Sequence, residues 1–271
     1  MRRFLLIMVH YLKRMFADTK EIVLLVMIPL GITLFMGFIA GEAEGFYFNG
    51  YNIFLSFVAP AMVLSFQFFN AFFIFLLLYA DFRDARRWRL LASPCTVRGF
   101  VIPAFVANWL LSLALGVVSI VIMTLFMNIY WGSWWVLAVV LMITSLMASF
   151  VGMLIFLFTK RIGQANGIGY VVSFGLMVIS GFMIPLQLFG DNVVVRFLTT
   201  HGTPLTLGTS AIVSSGELTN IFEGIDTAGI ALPGFTQGGD IQQSIRNILI
   251  LLAITAVLGV LAILVARRKK V

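Results

Sequence analysis

Six long apolar segments decide what this chain can fold into. None of them carries an Asp, Glu, Lys, Arg or His in its interior, and each has the roughly 20 apolar residues that a helix needs to cross a bilayer. A soluble domain has about 25% charged residues, whereas this 271-residue chain has 11% charged and 61% hydrophobic residues. The sequence predicts an all-α integral membrane protein, a single domain of six transmembrane helices at approximately 22–41, 53–80, 101–128, 135–159, 166–187 and 247–266.

The basic residues indicate how these segments are oriented. All but two of the 18 lysines and arginines lie before the first segment, between the second and third, between the fourth and fifth, or after the sixth. The exceptions are Arg196 and Arg246, which fall on the other side together with most of the acidic residues. Because short loops rich in Lys and Arg stay in the cytoplasm, we expect both termini to be cytoplasmic. The net charge of +7 then reflects orientation, and it does not indicate nucleic acid as a partner.

Residues 1–21 have the pattern of an amphipathic helix. On a helical projection the charged residues gather on one side, and apolar residues such as Phe4, Met8 and Met15 occupy the other. This pattern is typical of a helix that lies on a membrane surface. We expect an interfacial helix on the cytoplasmic leaflet, with a merely solvated basic leader as the alternative.

Two of the connecting segments are too long to be simple turns. Residues 81–100 combine arginines with apolar residues up to Pro94, which stops a helix because its ring disfavours helical geometry in the preceding residue. This segment could dock a soluble partner or anchor the loop to anionic lipid. Residues 188–246 form the longest external loop, whose first half is apolar enough to re-enter the membrane.

The sequence lacks the motifs of several chemistries. It has no Gly-x-x-x-x-Gly-Lys-Ser/Thr motif for nucleotide phosphates, one cysteine (Cys95), and two histidines (His10 and His201) that lie far apart. We therefore expect no catalytic residue, no metal site and no cofactor in this chain. We expect the energy for uphill transport to come from outside the chain, because the spans carry no ionisable residue of the kind that ion-coupled transporters use. The alternative is sodium coupling through backbone carbonyls, which needs broken helices near the midplane.

A few uncharged polar residues interrupt the apolar spans. Gln67 and Asn70 lie three residues apart near the middle of the second span, and Asn108, Ser173 and Ser180 are weaker cases. Buried amides need hydrogen-bond partners in hydrocarbon. They either join helices to one another or line a pathway for a substrate.

Four short motifs, in order along the chain, carry a resemblance to a known family. They are Arg14–Lys20 before an apolar run with Pro29, Leu90–Pro94, Ile179–Pro185 and Thr203–Thr206. With six spans, an interfacial N-terminal helix and both ends inside, the chain resembles the permease subunits of ABC-2-type ATP-binding-cassette exporters. It departs from that family in having Asp84 and Ala85–Arg86 where members often have a Glu and a Gly-Thr pair.

The resemblance implies a division of labour between chains. Two permease chains, identical or different, would pair in the membrane, and separate ATPase subunits would bind ATP and dock beneath them. The docking residues would lie within residues 81–100, which would be the cytoplasmic coupling segment, at Asp84, Arg86, Arg87, Arg89, Leu90 and Leu91. The expected location is the plasma membrane of a prokaryote, where membrane lipids are further partners.

The resemblance also places a substrate against the second and fifth spans, near the axis of the paired chains. The residues expected to line this pathway are Gln67, Asn70, Phe73 and Ser180. The substrate would be hydrophobic or amphipathic, such as a drug, an antibiotic or a lipid-like molecule. Two other functions stay open: a membrane scaffold or sensor subunit, and a lipid-acting enzyme that uses His201 and Asp191.

Overall fold

The structure is a computed structural model, and its secondary structure is helical apart from one short hairpin in the residues that it describes. These are residues 2–17, 19–41, 47–48, 51–83, 97–127, 129–180, 197, 202–216 and 241–268. The helices are α1 (Arg2–Ala17), α2 (Thr19–Gly41), α3 (Ile53–Phe82), α4 (Val97–Met127), α5 (Trp134–Phe158), α6 (Ile162–Ile179), α7 (Pro204–Ser214) and α8 (Ile241–Arg268). Between α2 and α3, strands β1 (Tyr47–Phe48) and β2 (Tyr51–Asn52) pair antiparallel, with Tyr47 opposite Asn52.

Five of the predicted transmembrane helices are present as helices long and apolar enough to cross a membrane. They are the apolar parts of α3, α4, α5, α6 and α8, at Val58–Phe82, Gly99–Met127, Trp134–Phe158, Ile162–Ile179 and Ile241–Arg268. The predicted first span coincides with α2, whose apolar part, Leu25–Phe38, is shorter. The helical membrane fold is thus confirmed, and the count of six spans stays a prediction.

Helix α3 lies at the centre of the bundle. Within its apolar stretch 87% of the residues are buried inside the protein, against 22% in α6 and 28% in α8. It packs against α2, α4, α5, α6 and α7, so it contacts most of the other helices. Helices α6 and α8 leave apolar faces open, which suits surfaces that contact lipid or another chain.

The amphipathic helix predicted at 1–21 corresponds to α1, which packs against α4. Its residues Tyr11 and Met15 are buried, whereas Leu5, Leu6 and Phe16 remain exposed. An exposed apolar face on a helix with basic residues is the arrangement that an interfacial helix needs.

Helix α7 lies within the predicted external loop 188–246, and the bundle buries it; residues 241–246 of that loop form the first part of α8. Leu205, Leu207 and Ala211 are almost fully buried, and α7 packs against α3, α5 and α8. Local sequence explains where it begins. The Thr203 hydroxyl accepts a hydrogen bond from the Thr206 amide at 3.1 Å, and the Thr206 hydroxyl accepts one from the Thr203 amide at 3.2 Å. This reciprocal cap, with Pro204 at the first helical position, gives the Thr203–Thr206 motif a structural role.

Candidate functional site

A cluster of polar residues joins α1 to the last turn of α3. The Asp81 carboxylate accepts a hydrogen bond from the Tyr11 hydroxyl at 2.8 Å and pairs with the Arg14 guanidinium at 2.5 Å. The Asp81 side chain is 9% exposed and that of Arg14 is 23% exposed. Burial raises the pKa of the Tyr11 hydroxyl well above its ordinary value, and the Asp81 carboxylate raises it further. Tyr11 therefore remains a protonated donor to Asp81.

Two residues further along, Arg83 joins the same end of α3 to the end of α5. Its guanidinium donates to the backbone carbonyl of Thr159 and, at 3.3 Å, to that of Phe156. It also lies over the rings of Tyr79 and Phe156, 4.8 and 5.1 Å from their centroids. A cation at a helix C-terminus interacts favourably with the unsatisfied carbonyl groups there. Arg83 thus stabilises the end of α5 and holds it against α3.

Together these contacts form one structure, which we call the anchor: Tyr11, Arg14, Tyr79, Asp81, Arg83, Phe156 and Thr159. Arg83, the last α3-side residue of the anchor, directly precedes residue 84, where the predicted coupling segment continues. The predicted docking residues Asp84, Arg86, Arg87, Arg89, Leu90 and Leu91 lie outside the described residues. Any displacement of that segment would act first on a helix end that is tied to two other helices.

A second group of polar residues lies inside the bundle. The Ser112 hydroxyl of α4 donates to the Gln67 side-chain carbonyl of α3 at 2.5 Å, and both residues are buried. Gly116 makes this contact possible, because a Cβ atom there would lie 2.6 Å from the Gln67 amide nitrogen. The bond joins α3 to α4.

The polar group extends to α5 one turn nearer the anchor. The Asn108 amide donates to the Ser149 hydroxyl at 3.0 Å, and the Trp109 ring nitrogen lies 3.1 Å from the Ser145 hydroxyl. Helices α3 and α4 run in opposite directions, so Asn70, which follows Gln67, and Asn108, which precedes Ser112, are displaced towards the same end of the bundle. At a helical rise of about 1.5 Å per residue, both lie about 5 Å nearer the anchor than the Gln67–Ser112 contact. We call this set, Gln67, Asn70, Asn108, Ser112, Ser145 and Ser149, the intramembrane polar layer.

Two side-chain oxygens of the polar layer have unused capacity. The Oδ1 atoms of Asn70 and Asn108 are buried and have no hydrogen-bond partner among the described residues. Buried polar atoms are nearly always paired in proteins, and an unpaired one costs about 1–3 kcal/mol. The layer can therefore accept hydrogen bonds from a molecule that reaches it.

Comparison with known families identifies the family of this chain. The family model described as ABC-2 type transporter matches residues 2–215, which include helices α1 to α7. The chain belongs to the ABC-2 type transporter family. A search of curated proteins found no match to it. Its family makes this ABC-2 transporter chain the permease component of an ABC-type transporter, and the apolar helices make it a multi-pass membrane protein.

The structure of the ABC-2 permease brings together only some of the residues predicted for a substrate pathway. Gln67 and Asn70 share the polar layer and are both buried. Ser180 lies at the end of α6, where it donates to the Met177 carbonyl at 2.9 Å. Since Phe69 of α3 meets Phe174 of α6, Ser180 lies about one helical turn further from the anchor than Gln67. The side chain of Phe73 is outside the described part of the chain.

The anchor of this ABC-2 permease contains residues that sequence reasoning did not select. Asp81 directly follows the second predicted span, and a carboxylate at a span end that is followed by several arginines was the available signal. Arg83 lies just before the predicted docking residues, and it contacts the end of α5. Tyr11 of α1 gave no signal, because a tyrosine in a helix predicted to lie at a membrane surface is common.

Proposed function

We propose that this ABC-2 transporter chain is the permease subunit of an exporter for hydrophobic or amphipathic molecules, such as drugs, antibiotics or lipid-like compounds. It pairs with a second permease chain and works with separate ATPase subunits that dock on its cytoplasmic face. Family membership supports the transport role. The positive-inside distribution of Lys and Arg supports cytoplasmic termini.

The anchor is the observation that supports the coupling mechanism. When ATP binding closes the ATPase subunits, the docked segment after Arg83 moves. The anchor transmits this movement to α1 through Asp81 and to α5 through Arg83, because both contacts lie within the last turn of α3 or directly after it. Alternating access then follows from the different affinities of the ATPase for two arrangements of the helices.

The intramembrane polar layer supports a pathway for molecules that are apolar with a few polar groups. The Oδ1 atoms of Asn70 and Asn108, which have no partner among the described residues, suit hydroxyl or amide donors of such a substrate. The surrounding apolar side chains suit its hydrophobic body. In this proposal Gln67, Phe73 and Ser180 line the pathway beside Asn70.

Charge reversal in the coupling segment tests the proposed docking. The triple variant Arg86→Glu, Arg87→Glu, Arg89→Glu should lose the co-purifying ATPase subunit and its transport-coupled ATP hydrolysis. The matched control reverses Lys160 and Arg161, two exposed basic residues of the α5–α6 turn on the same predicted side. The proposed docking segment is wrong if the triple variant binds the ATPase and supports coupled hydrolysis as well as this control does.

A further inference from the structure

An apolar groove lies between α4, α5 and α8, at the same end of the bundle as the anchor. Its cavity volume is about 300 Å³, the lower end of the range for small-molecule pockets. Phe105 and Phe150 line one side, and Ala262, Ile263 and Ala266 of α8 line the other. Arg267, in the last turn of α8, is the charged residue of the lining.

The sequence of α8 accounts for this groove. Helix α8 approaches α5 closely at Gly259, where a Cβ atom would lie 3.0 Å from the Phe150 ring. Ala262 and Ala266 continue the same face of α8 towards Arg267, and their small side chains leave space in front of the aromatic pair. The Phe105 and Phe150 rings pack with centroids 4.9 Å apart. Two rigid rings therefore face a row of small residues, and the space between them stays open.

The groove has apolar walls and a charged end, so it suits a ligand that joins an apolar chain to an anionic group. Its walls are apolar and Ile263 is 54% exposed, so the open side faces the hydrocarbon region where acyl chains lie. Arg267 is exposed and has no carboxylate within ion-pair distance in the described part of the chain. A guanidinium beside an apolar slot is complementary to a phosphate joined to an acyl chain. Basic pockets between transmembrane helices on the cytoplasmic side are suited to anionic lipid headgroups.

We propose that the groove binds one anionic phospholipid of the cytoplasmic leaflet, with an acyl chain against Phe105 and Phe150 and the phosphate at Arg267. This inference rests on the proposed orientation, which places the end of α8 in the cytoplasm. It does not depend on the identity of the exported substrate or on the ATPase. The lipid would fill the space between α8 and α4 and would stabilise the packing of α8 against α5.

Lipid retention by the purified full chain tests this site. The chain is reconstituted in nanodiscs with equal amounts of phosphatidylglycerol and phosphatidylcholine and then extracted into detergent. Native mass spectrometry counts the lipids that stay bound. Wild type should retain one phosphatidylglycerol in preference to phosphatidylcholine, and Arg267→Gln should lower this retention about fivefold.

Two variants and a matched control make the outcome specific. Arg268→Gln removes another exposed charge from the neighbouring position, which does not line the groove, and this variant should retain lipid as wild type does. Arg267→Lys should restore most of the retention. Ala266→Leu fills the groove and should lower retention of both lipids, while its size-exclusion profile shows that the chain is folded.

Three results would overturn the proposal. Equal losses in Arg267→Gln and Arg268→Gln would mean that general surface charge attracts the lipid. Unchanged retention in Ala266→Leu would place the lipid elsewhere. If Ala266→Leu instead lowered the fraction of dimer without changing the lipid count, the groove would be an interface with a second copy. A failure here leaves ATPase docking untouched, because lipid retention is measured without the ATPase.

Discussion

The substitution Asp81→Asn tests whether the anchor holds α1 against the end of α3. The variant keeps the shape of the side chain but removes the charge that accepts from Tyr11 and Arg14. A hydrogen bond to a charged group contributes about 1.5–3 kcal/mol, and a neutral one about 0.5–1.5 kcal/mol. Asparagine can still accept from Tyr11, so that bond loses about 1 kcal/mol.

The ion pair adds a second loss of similar size. The Arg14 side chain is 23% exposed, so water screens part of the interaction and the full penalty of a buried pair does not apply. We therefore expect loss of the Arg14–Asp81 ion pair to cost about 1–2 kcal/mol. The sum is about 2–3 kcal/mol of stability for the docking of α1, which corresponds to about 30- to 150-fold more frequent local opening.

Hydrogen–deuterium exchange of the full chain in nanodiscs measures this opening directly. Backbone amides of α1 should exchange about 30- to 150-fold faster in Asp81→Asn than in wild type, while amides of α8 stay unchanged. Lys13→Gln is the matched control, since it removes an exposed charge from the same helix. If Asp81→Asn and Lys13→Gln give the same exchange in α1, the anchor does not hold this helix.

Three other substitutions follow from particular contacts. Thr203→Ala removes the cap of α7 and should cost about 1 kcal/mol, lowering Tm by about 2 °C, whereas Thr203→Ser should melt near the wild-type temperature. Gly116→Val drives a side chain into Gln67 and Leu141 and should cost about 1–3 kcal/mol; a Tm equal to that of wild type would contradict the close packing of α3 and α4. Arg83→Gln should cost about 1 kcal/mol at the end of α5, seen as faster amide exchange in its last turn, and Arg83→Lys should recover part of the protection.

Hydropathy predicts the membrane fold well because it reports what the bilayer requires. The segments 135–159 and 101–128 correspond to α5 and α4, since a run of apolar residues long enough to cross a bilayer has to be helical there. Hydropathy marks the part in hydrocarbon and not the whole helix. For this reason α4 begins earlier, at Val97.

The contacts of the candidate site are much harder to predict than its residues. Asp81 reaches partners in α1 that lie about 70 positions earlier in the sequence, and Arg83 reaches the end of α5 about as far in the other direction. Nothing in a single sequence says which helix ends meet. Gln67 and Asn70 are visible as polar residues in an apolar span, but the Ser112 partner of Gln67 depends on how α3 and α4 pack, which the small Gly116 helps to set.

In the proposed function, a separate ATPase drives this ABC-2 permease. The most direct test compares ATP hydrolysis and substrate efflux in liposomes that contain the chain alone with those that contain the complex isolated from native membranes. We expect neither activity from the chain alone. The complex should hydrolyse ATP and move substrate, and Asp81→Asn should reduce both while the ATPase stays bound. Transport by the chain alone, without an ATPase subunit, would contradict the account.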